Sequence, residues 1–432
     1  MKFRVDREVL GEAVSWVARA LATRPVVPVL SGLLLQADDD LLTLSCFDYE
    51  VSARVQVPAE VGEPGTALVP GRLLAEIVKS LPPAEVEVAS AAEMVMLTCG
   101  SAEFALVSLP LEDYPKLPEL PAAVGAVDGG VLATAAAQVV PSASRDDTLP
   151  MLTGVCLDFA GAELTLAATD RYRLAVRTVS WEPGDPSMHG SALIPARTLA
   201  EAARTMSTSG LVTISCGASD PSAARPADGL ISFEGGGRRL TARLIGAEFI
   251  RYASRFPKSF EASAELPAVS FTEAVRRVAL VADRTTPVQL AFRRDLVVIE
   301  ARSDGRARAV ESVAVDFTGR EQVISFNPHY LLDGLAAAML TGQTHSGQTH
   351  SGQGVDEPSD APGRIRLQFT SPAKPALITW VTGDEVADTG NGGDGSVGPV
   401  VESTQAEGNA DADDEATFRY LVVPLRTQGS VS

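Results

Sequence analysis

The chain has 432 residues, 45% of them hydrophobic, and a formal net charge of −19. That length leaves room for about three domains, each able to bury a core of its own. No apolar run reaches the roughly 18 residues of a membrane span, and the acidic balance argues against a generally basic nucleic-acid binder.

In chain order, the opening "MKFRVDREVL" has no apolar core of signal-peptide type and reads as mature structure. Leu10, Val14, Val17 and Leu21 follow at helical spacing. "LLTLSCFDYEVSARVQV" at 41–57 reads as two strands joined by a turn that carries Asp48. "ALVPGRLLAEIVKSL" at 67–81 is a strand, a proline corner at Pro70, and a helix with Leu73, Leu74, Ile77 and Val78 on one stripe. "EFALVSL" reads as an edge strand bearing Phe104 and Leu106, and "DYPKLPELP" as a junction.

The pattern then starts again. "GGVLATAAAQVVPSASR" is a poor helix, weakened by its glycines and broken by Pro141. "ELTLAATDRYRLAVRTV" at 163–179 is strand, turn with Asp170, and strand. "ALIPARTLAEAARTM" repeats the proline corner from Ala192, 125 residues after Ala67. "RFPKSF" is the next junction, and "SFTEAVRRVALVADR" predicts a helix with Ser270 and Glu273 as a capping box. "DLVVIEARSDGRARAVESVAV" at 295–315 is the third strand pair. "VISFNPHYLLDGLAAAML" is a weaker third corner, in which Leu331, Leu332 and Asp333 match Leu199, Ala200 and Glu201 at an offset of 132. Three copies at near-constant spacing predict a triplicated α+β domain, with units 1–122, 123–259 and 260–432.

Two segments stand outside this pattern. Residues 342–363 contain the repeat "GQTHSGQTHSGQ" and read as a flexible linker rather than as a metal site built on His345 and His350. Residues 382–416 hold ten acidic residues and no Lys or Arg, and read as a disordered loop. Cys46, Cys99, Cys156 and Cys216 lie far apart without metal-ligand spacing, which suits buried thiols in a cytoplasmic protein. No phosphate-binding loop, serine-hydrolase elbow or zinc-protease motif occurs. The best catalytic candidate is "SASRDDT". Asp146 and Asp147 there could serve a metal-dependent nuclease, or pair with Arg145 in a polar turn, the reading preferred here. No catalytic residue, metal or cofactor is assigned.

"MKFRVDREVL", "TRPVVPVLSGLLLQ", "SRDDTLPMLTGV", "LAATDRYRLAV", "FNPHYLLDGL" and "YLVVPLR" together resemble the bacterial DNA polymerase III β subunit, the replicative sliding clamp family. The resemblance covers nearly the whole chain outside the two inserts. It implies three similar domains, each with two helices on antiparallel sheets, forming half of a closed ring. A head-to-tail homodimer would thread duplex DNA through that ring and tether the polymerase catalytic subunit and other proteins. A separate clamp-loader ATPase would be needed. Such a ring touches phosphates through scattered basic side chains and reads no bases. Arg19, Arg72, Lys79, Arg197, Arg204, Arg276 and Arg277 on helices, with Arg24 and Arg145 on loops, are the candidates. The helix "PHYLLDGLAAAML" carries no Lys or Arg and is expected to contribute least.

The resemblance further implies a groove for partner peptides. It would involve Leu152, Thr169, Arg171, Tyr172, Arg173, Leu174, Asn327, Tyr330, Leu421, Val423, Pro424, Leu425 and Arg426. The family usually has Phe-Pro-x-aromatic where this chain reads "EFIRYASRFP". Ile250 stands for the proline, while Ser254 and Arg255 replace a long polar and an aliphatic residue. The tail also runs past Arg426 as "TQGSVS". These departures suit either the main clamp or a specialised second copy with an altered groove. Ring closure would bring Phe104 and Leu106 against Ala279 and Leu280.

Overall fold

Each sequence repeat contributes two helices: α1 (Arg7–Arg19) and α2 (Gly71–Ser80), α3 (Gly129–Val139) and α4 (Ala196–Met206), α5 (Ala268–Ala279) and α6 (Pro328–Gln348). They are seen in a computed structural model that describes residues 1–22, 24–91, 93–217, 229–282, 286–303, 306–348, 363–381 and 418–425, with the backbone alone at 344–348.

Local chemistry sets where the helices start. Asp6 Oδ1 accepts the N–H groups of Glu8 and Val9 at 2.8 and 3.1 Å, and Asp128 Oδ1 accepts those of Gly130 and Val131 at 2.8 and 3.0 Å. Each carboxylate thereby satisfies two of the four orphan donors of its helix. The glycines expected to weaken α3 are needed there, because a Cβ on Gly129 would lie 2.1 Å from the Met206 carbonyl oxygen. Pro70, Pro195 and Pro267 hold the cap positions of α2, α4 and α5, where a missing N–H costs nothing. The capping box predicted for α5 does not form. The helix begins at Ala268, so Ser270 lies inside its first turn and donates back to the Pro267 carbonyl at 3.4 Å.

Packing follows the predicted stripes with one exception. Leu10, Val14, Val17 and Leu21 are all buried, as are Leu74, Ile77 and Val78, but Leu73 is exposed beside Arg72. All four cysteines are buried and unpaired. Burial pushes the Cys46 thiol up to about 12 and that of Cys216 to about 11, which leaves little reactive thiolate at neutral pH.

The chain divides into two compact units. The first comprises Met1–Ala136, Arg145–Leu164 and Ser180–Phe249, and the second Ala137–Ser144, Thr165–Val179 and Ile250–Ser432. Hydrogen bonding crosses the repeat boundaries in both. In the first unit, strand Arg238–Arg243 of the second repeat pairs with Val51–Pro58 of the first, inside a nine-stranded antiparallel sheet. A separate five-stranded sheet of this unit ends at edge strand Ala102–Val107. In the second unit, strand Arg173–Ser180 pairs with Phe418–Val422, matching Arg173 to Val422 and Leu174 to Leu421. A four-stranded sheet there is bounded by Ala307–Ala314 and Gln322–Phe326.

The 342–363 segment departs from its linker reading at its start, since α6 continues to Gln348. A Cβ on Gly342 or Gly363 would lie 2.2 or 2.1 Å from the Trp380 indole, so both ends of the segment meet at one side chain. The rest of that segment, including His350, and all of 382–416 lie outside the described residues.

Candidate functional site

The turn Thr169–Arg173 is held by its own side chains. Asp170 Oδ1 accepts the N–H groups of Tyr172 and Arg173 at 3.0 and 3.1 Å. Thr169 Oγ1 accepts the Arg171 N–H at 3.2 Å and donates to the Arg173 carbonyl at 2.6 Å. Arg171 has a φ of 80°, a left-handed conformation that a non-glycine residue tolerates only when its surroundings fix it. The turn presents Tyr172 outward, 49% exposed, and turns Arg173 inward.

The Arg173 guanidinium is fully engaged. Its Nε donates to Asp170 Oδ2 at 3.0 Å, and its terminal nitrogens donate to the Asp333 carboxylate and the Pro141 carbonyl. Its plane lies 4.6 Å from the centre of the Tyr330 ring. Burial opposes the charge, but Tyr420, Asp333 and Asp170 outweigh that effect and hold its pKa above the usual arginine value. A planar cation with carboxylates at its edge and an aromatic ring on its face is rigid and oriented.

The facing wall starts at α6. Asn327 caps that helix, its side-chain oxygen accepting the His329 N–H at 2.9 Å. This places Tyr330 in the first turn, where its ring stacks on Tyr172 with centroids 6.0 Å apart and planes 18° apart. Tyr420 donates its hydroxyl to the Tyr330 carbonyl at 2.8 Å. It reaches α6 this closely only because Gly334 lacks a Cβ, which would lie 2.5 Å from the tyrosine ring. The last strand then runs alongside, with the Val423 N–H on the Tyr172 carbonyl at 2.8 Å and the Leu425 N–H on the Ser325 carbonyl at 2.7 Å. Leu174 and Leu421 are buried, whereas Tyr172 and Leu425 stay exposed. The result is a surface site with a stacked aromatic pair, buried Leu174 and Leu421, exposed Leu425 and backbone groups beside them; read as the wall of a cleft, it suits an extended chain carrying apolar side chains.

The structure thus brings together Thr169, Arg171, Tyr172, Arg173, Leu174, Asn327, Tyr330, Leu421 and Val423–Leu425 in the second unit. Leu152 belongs to the first unit, buried in the short turn Pro150–Leu152. Arg426 lies outside the described residues. Ile250 is half-buried, and Ser254 and Arg255 are exposed on the turn Ala253–Arg255, where the Ser254 hydroxyl donates to the Arg251 carbonyl at 3.0 Å. Neither Ser254 nor Arg255 is therefore a buried group. Sequence reasoning missed Asp333, Tyr420 and Pro141 as parts of the site. Only Asp333 carried a signal, since it repeats the acid at Glu201.

The basic candidates fall into two kinds. Arg19 and Arg204 share Glu201, at 3.4 and 2.7 Å. Arg276 pairs with Glu273 at 2.6 Å, and Arg277 with Glu311 at 2.5 Å. Arg24, Lys79, Arg145 and Arg197 are exposed and make no ion pair among the described residues, while Arg72 donates to the Ala22 carbonyl at 3.3 Å. Of the association candidates, Leu280 is 83% exposed and Phe104 and Ala279 are half-buried. Leu106 is already buried within its own unit, so Val107, 61% exposed, is the apolar side chain that its strand leaves open. Asp146 Oδ1 is occupied by the N–H and hydroxyl of Thr148, at 3.0 and 2.7 Å. Among the described residues no group of three acidic, His or Cys side chains could hold a metal ion.

Family models for the N-terminal, central and C-terminal domains of the DNA polymerase III beta subunit match residues 1–118, 126–250 and 253–342. The chain belongs to that family. It is 42% identical over 429 residues to the Beta sliding clamp of Streptomyces coelicolor, covering 99% of this chain and all of the relative. It is 43% identical over 335 residues to the Beta sliding clamp homolog GriR of Streptomyces muensis, covering 78% of this chain and 88% of that one. Among solved structures, a Caulobacter crescentus beta sliding clamp superposes with a TM-score of 0.78 at 25% identity, covering 99% of both chains. That structure has a polyethylene glycol bound to a putative beta-motif tethering region. A Pseudomonas aeruginosa clamp bound to griselimycin shares the fold, with a TM-score of 0.78 at 24% identity over 99% of this chain and all of that one. The three-part α+β architecture read from the repeats and the clamp fold implied by the resemblance are therefore correct, and the chain is a non-catalytic, processivity-type subunit rather than a nuclease.

Proposed function

We infer that two copies of this chain close into a ring around duplex DNA and that the cleft at Tyr172, Arg173 and Tyr330 anchors the polymerase and other partners by short extended peptides. The observation that carries the tethering role is the pre-formed cleft. Tyr172 is exposed and Tyr330 half-buried, yet the surroundings are locked by Arg173, Asn327 and Tyr420, so a ligand would meet little ordering cost. Closure has its own support in two free strand edges, Ala102–Val107 and Ala307–Ala314, and in the exposed Val107, Leu280 and Val310. Pairing the edges between copies satisfies their open hydrogen-bonding groups and buries those side chains.

Sedimentation tests closure. The wild type is expected to run as a dimer at micromolar concentration, and Leu280→Lys as a monomer with an unchanged melting temperature. The exposed lysine leaves the single chain intact but puts a desolvated charge into the contact. A monomeric wild type would remove the ring.

A second reading, a specialised copy with a weakened groove, draws on the "EFIRYASRFP" departures and on the similarity to GriR. The identities of 42% and 43% to an ordinary clamp and to that homolog do not separate the two. Calorimetry with one clamp-binding peptide does. Ile250→Pro/Ser254→Arg/Arg255→Val is expected to tighten binding by up to about tenfold, because restoring the family's residues at one half-buried and two exposed positions is worth about 1 kcal/mol. Unchanged or weaker binding would mark the departures as neutral and leave the ordinary replicative role.

A further inference from the structure

The first unit holds another pocket built on the plan of the cleft. Asp48 stands where Asp170 does, 122 residues earlier, as Asp6 precedes Asp128. Its Oδ1 accepts the N–H groups of Glu50 and Val51 at 3.1 and 2.7 Å, the same pattern that shapes the Thr169–Arg173 turn. Tyr49 has a φ of 73° where Arg171 has 80°. The second helix of the next repeat faces the turn in each case. At the offset of 132, Thr198 and Glu201 of α4 correspond to Tyr330 and Asp333 of α6. The acceptor positions correspond as well, though the donors differ: the Thr205 carbonyl of α4 accepts from Arg238 of a strand at 3.2 Å, and the Ala337 carbonyl of α6 accepts from Gln138 of α3 at 2.8 Å.

One position differs in a way that matters. The place of Arg173 is taken by Val51, so no guanidinium fills the floor, and a cavity of 290 Å³ remains between turn and helix. Trp16, Leu21 and Leu240 supply its apolar lining, and Arg19, Arg197, Asp48 and Glu201 its charges. Asp48 is committed to its turn, and Glu201 to Arg19 and Arg204. One cation is left over: Arg197 is exposed and makes no ion pair among the described residues, so the cavity favours an occupant that brings an anion. Trp16 is 4% exposed and its indole Nε1 is shielded from solvent, so its signal reports on the packing of the cavity wall.

We propose that this cavity is a second peptide-docking site, which takes a short extended segment of a partner protein, seating an apolar side chain against Trp16 and Leu240 and a neighbouring carboxylate on Arg197. The proposal rests on reading the Tyr172–Tyr330 cleft as a peptide site, since the two share turn, helix and register. Its volume admits one large side chain, and its unmatched group is a cation, so an acidic-apolar pair fits both.

The test uses the full-length protein with ¹⁵N-labelled tryptophan and the probe acetyl-Leu-Glu-amide. The Trp16 indole signal is assigned by its loss in Trp16→Phe. Trp181, whose indole already donates to the Gly161 carbonyl at 2.9 Å, serves as the internal control. The probe is expected to shift the Trp16 signal saturably and leave that of Trp181 in place. Arg197→Gln, or the neutral probe acetyl-Leu-Gln-amide, is expected to weaken binding by at least about tenfold, as the loss of one charge-assisted contact does. The shift is expected to survive in Tyr330→Ala. No shift at saturating probe, or equal affinity for the neutral probe, overturns the proposal. So does a shift produced by a short DNA duplex but not by the peptide, which would make the cavity a phosphate site. Binding lost in Tyr330→Ala but kept in Arg197→Gln also overturns it while leaving the first cleft intact. Conversely, a clamp-binding peptide that binds Tyr330→Ala as tightly as wild type fails the first cleft alone.

Discussion

Loaded by a clamp-loader ATPase onto a nicked circular duplex, the protein will stay bound through a salt wash that strips it from the same duplex made linear. On a linear molecule only phosphate contacts resist release. If about five phosphates are neutralised, raising salt from about 50 to about 200 mM lowers affinity by roughly 10²–10³-fold as counterions compete. Two copies of the chain can supply that many contacts from basic side chains without a carboxylate partner. Among the described residues Arg24, Lys79, Arg145 and Arg197 make no ion pair, whereas Arg19, Arg204, Arg276 and Arg277 already face Glu201, Glu273 or Glu311 and gain less from DNA. On a circle, release requires the ring to open, which phosphate screening does not cause. Retention is measured by gel filtration after the wash, with and without linearisation by a restriction enzyme. Equal loss from both templates would show that the protein holds DNA by charge alone.

Arg173→Met will cost the protein about 3 kcal/mol and abolish peptide binding at the cleft. The side chain is 10% exposed, and its partner Asp170 is 12% exposed. Removing the cation leaves that carboxylate buried without a counter-charge, and breaking such a pair typically costs about 3–5 kcal/mol. Asp333 is 43% exposed and can rehydrate, which places the estimate at the lower end. The stacked Tyr330 also loses the plane that orients it, so the rim loosens. Arg173→Met/Asp170→Asn is expected to recover part of the stability, because no charge is then stranded, but not the binding. Chemical denaturation and peptide calorimetry on the two variants check both halves. A stable Arg173→Met that still binds peptide would mean the guanidinium network is incidental.

What the sequence disclosed was mostly local. The helical stripe of α1, the proline corners and the turn at Asp170 each arise from residues close in sequence, so their chemistry is written in nearby letters, although the equally local capping box read at Ser270 and Glu273 does not form. The cleft residues Thr169–Leu174 and Asn327–Tyr330 could be named because those local motifs also carry the family resemblance. The misses are contacts between distant segments. Tyr420 joins the site through its hydroxyl on the Tyr330 carbonyl, the missing Cβ of Gly334 and its interaction with Arg173, and none of these distant residues signals another in sequence. Leu73 matched its stripe yet faces solvent, since helical periodicity alone does not say how wide the covered face is. Leu106 read as an outward edge residue, but its strand turns Val107 outward instead.

The convergence of Gly342 and Gly363 on the Trp380 ring makes the stretch between them a natural splice point. A chain that leaves and returns at one place adds no strain to its host, and the closure cost of a longer excursion grows only with the logarithm of its length, about 0.6 kcal/mol for each doubling. A fluorescent domain inserted there would report on the protein without displacing a strand, provided both glycines are kept. A side chain at either one would collide with the indole and convert a tolerant position into a damaging one.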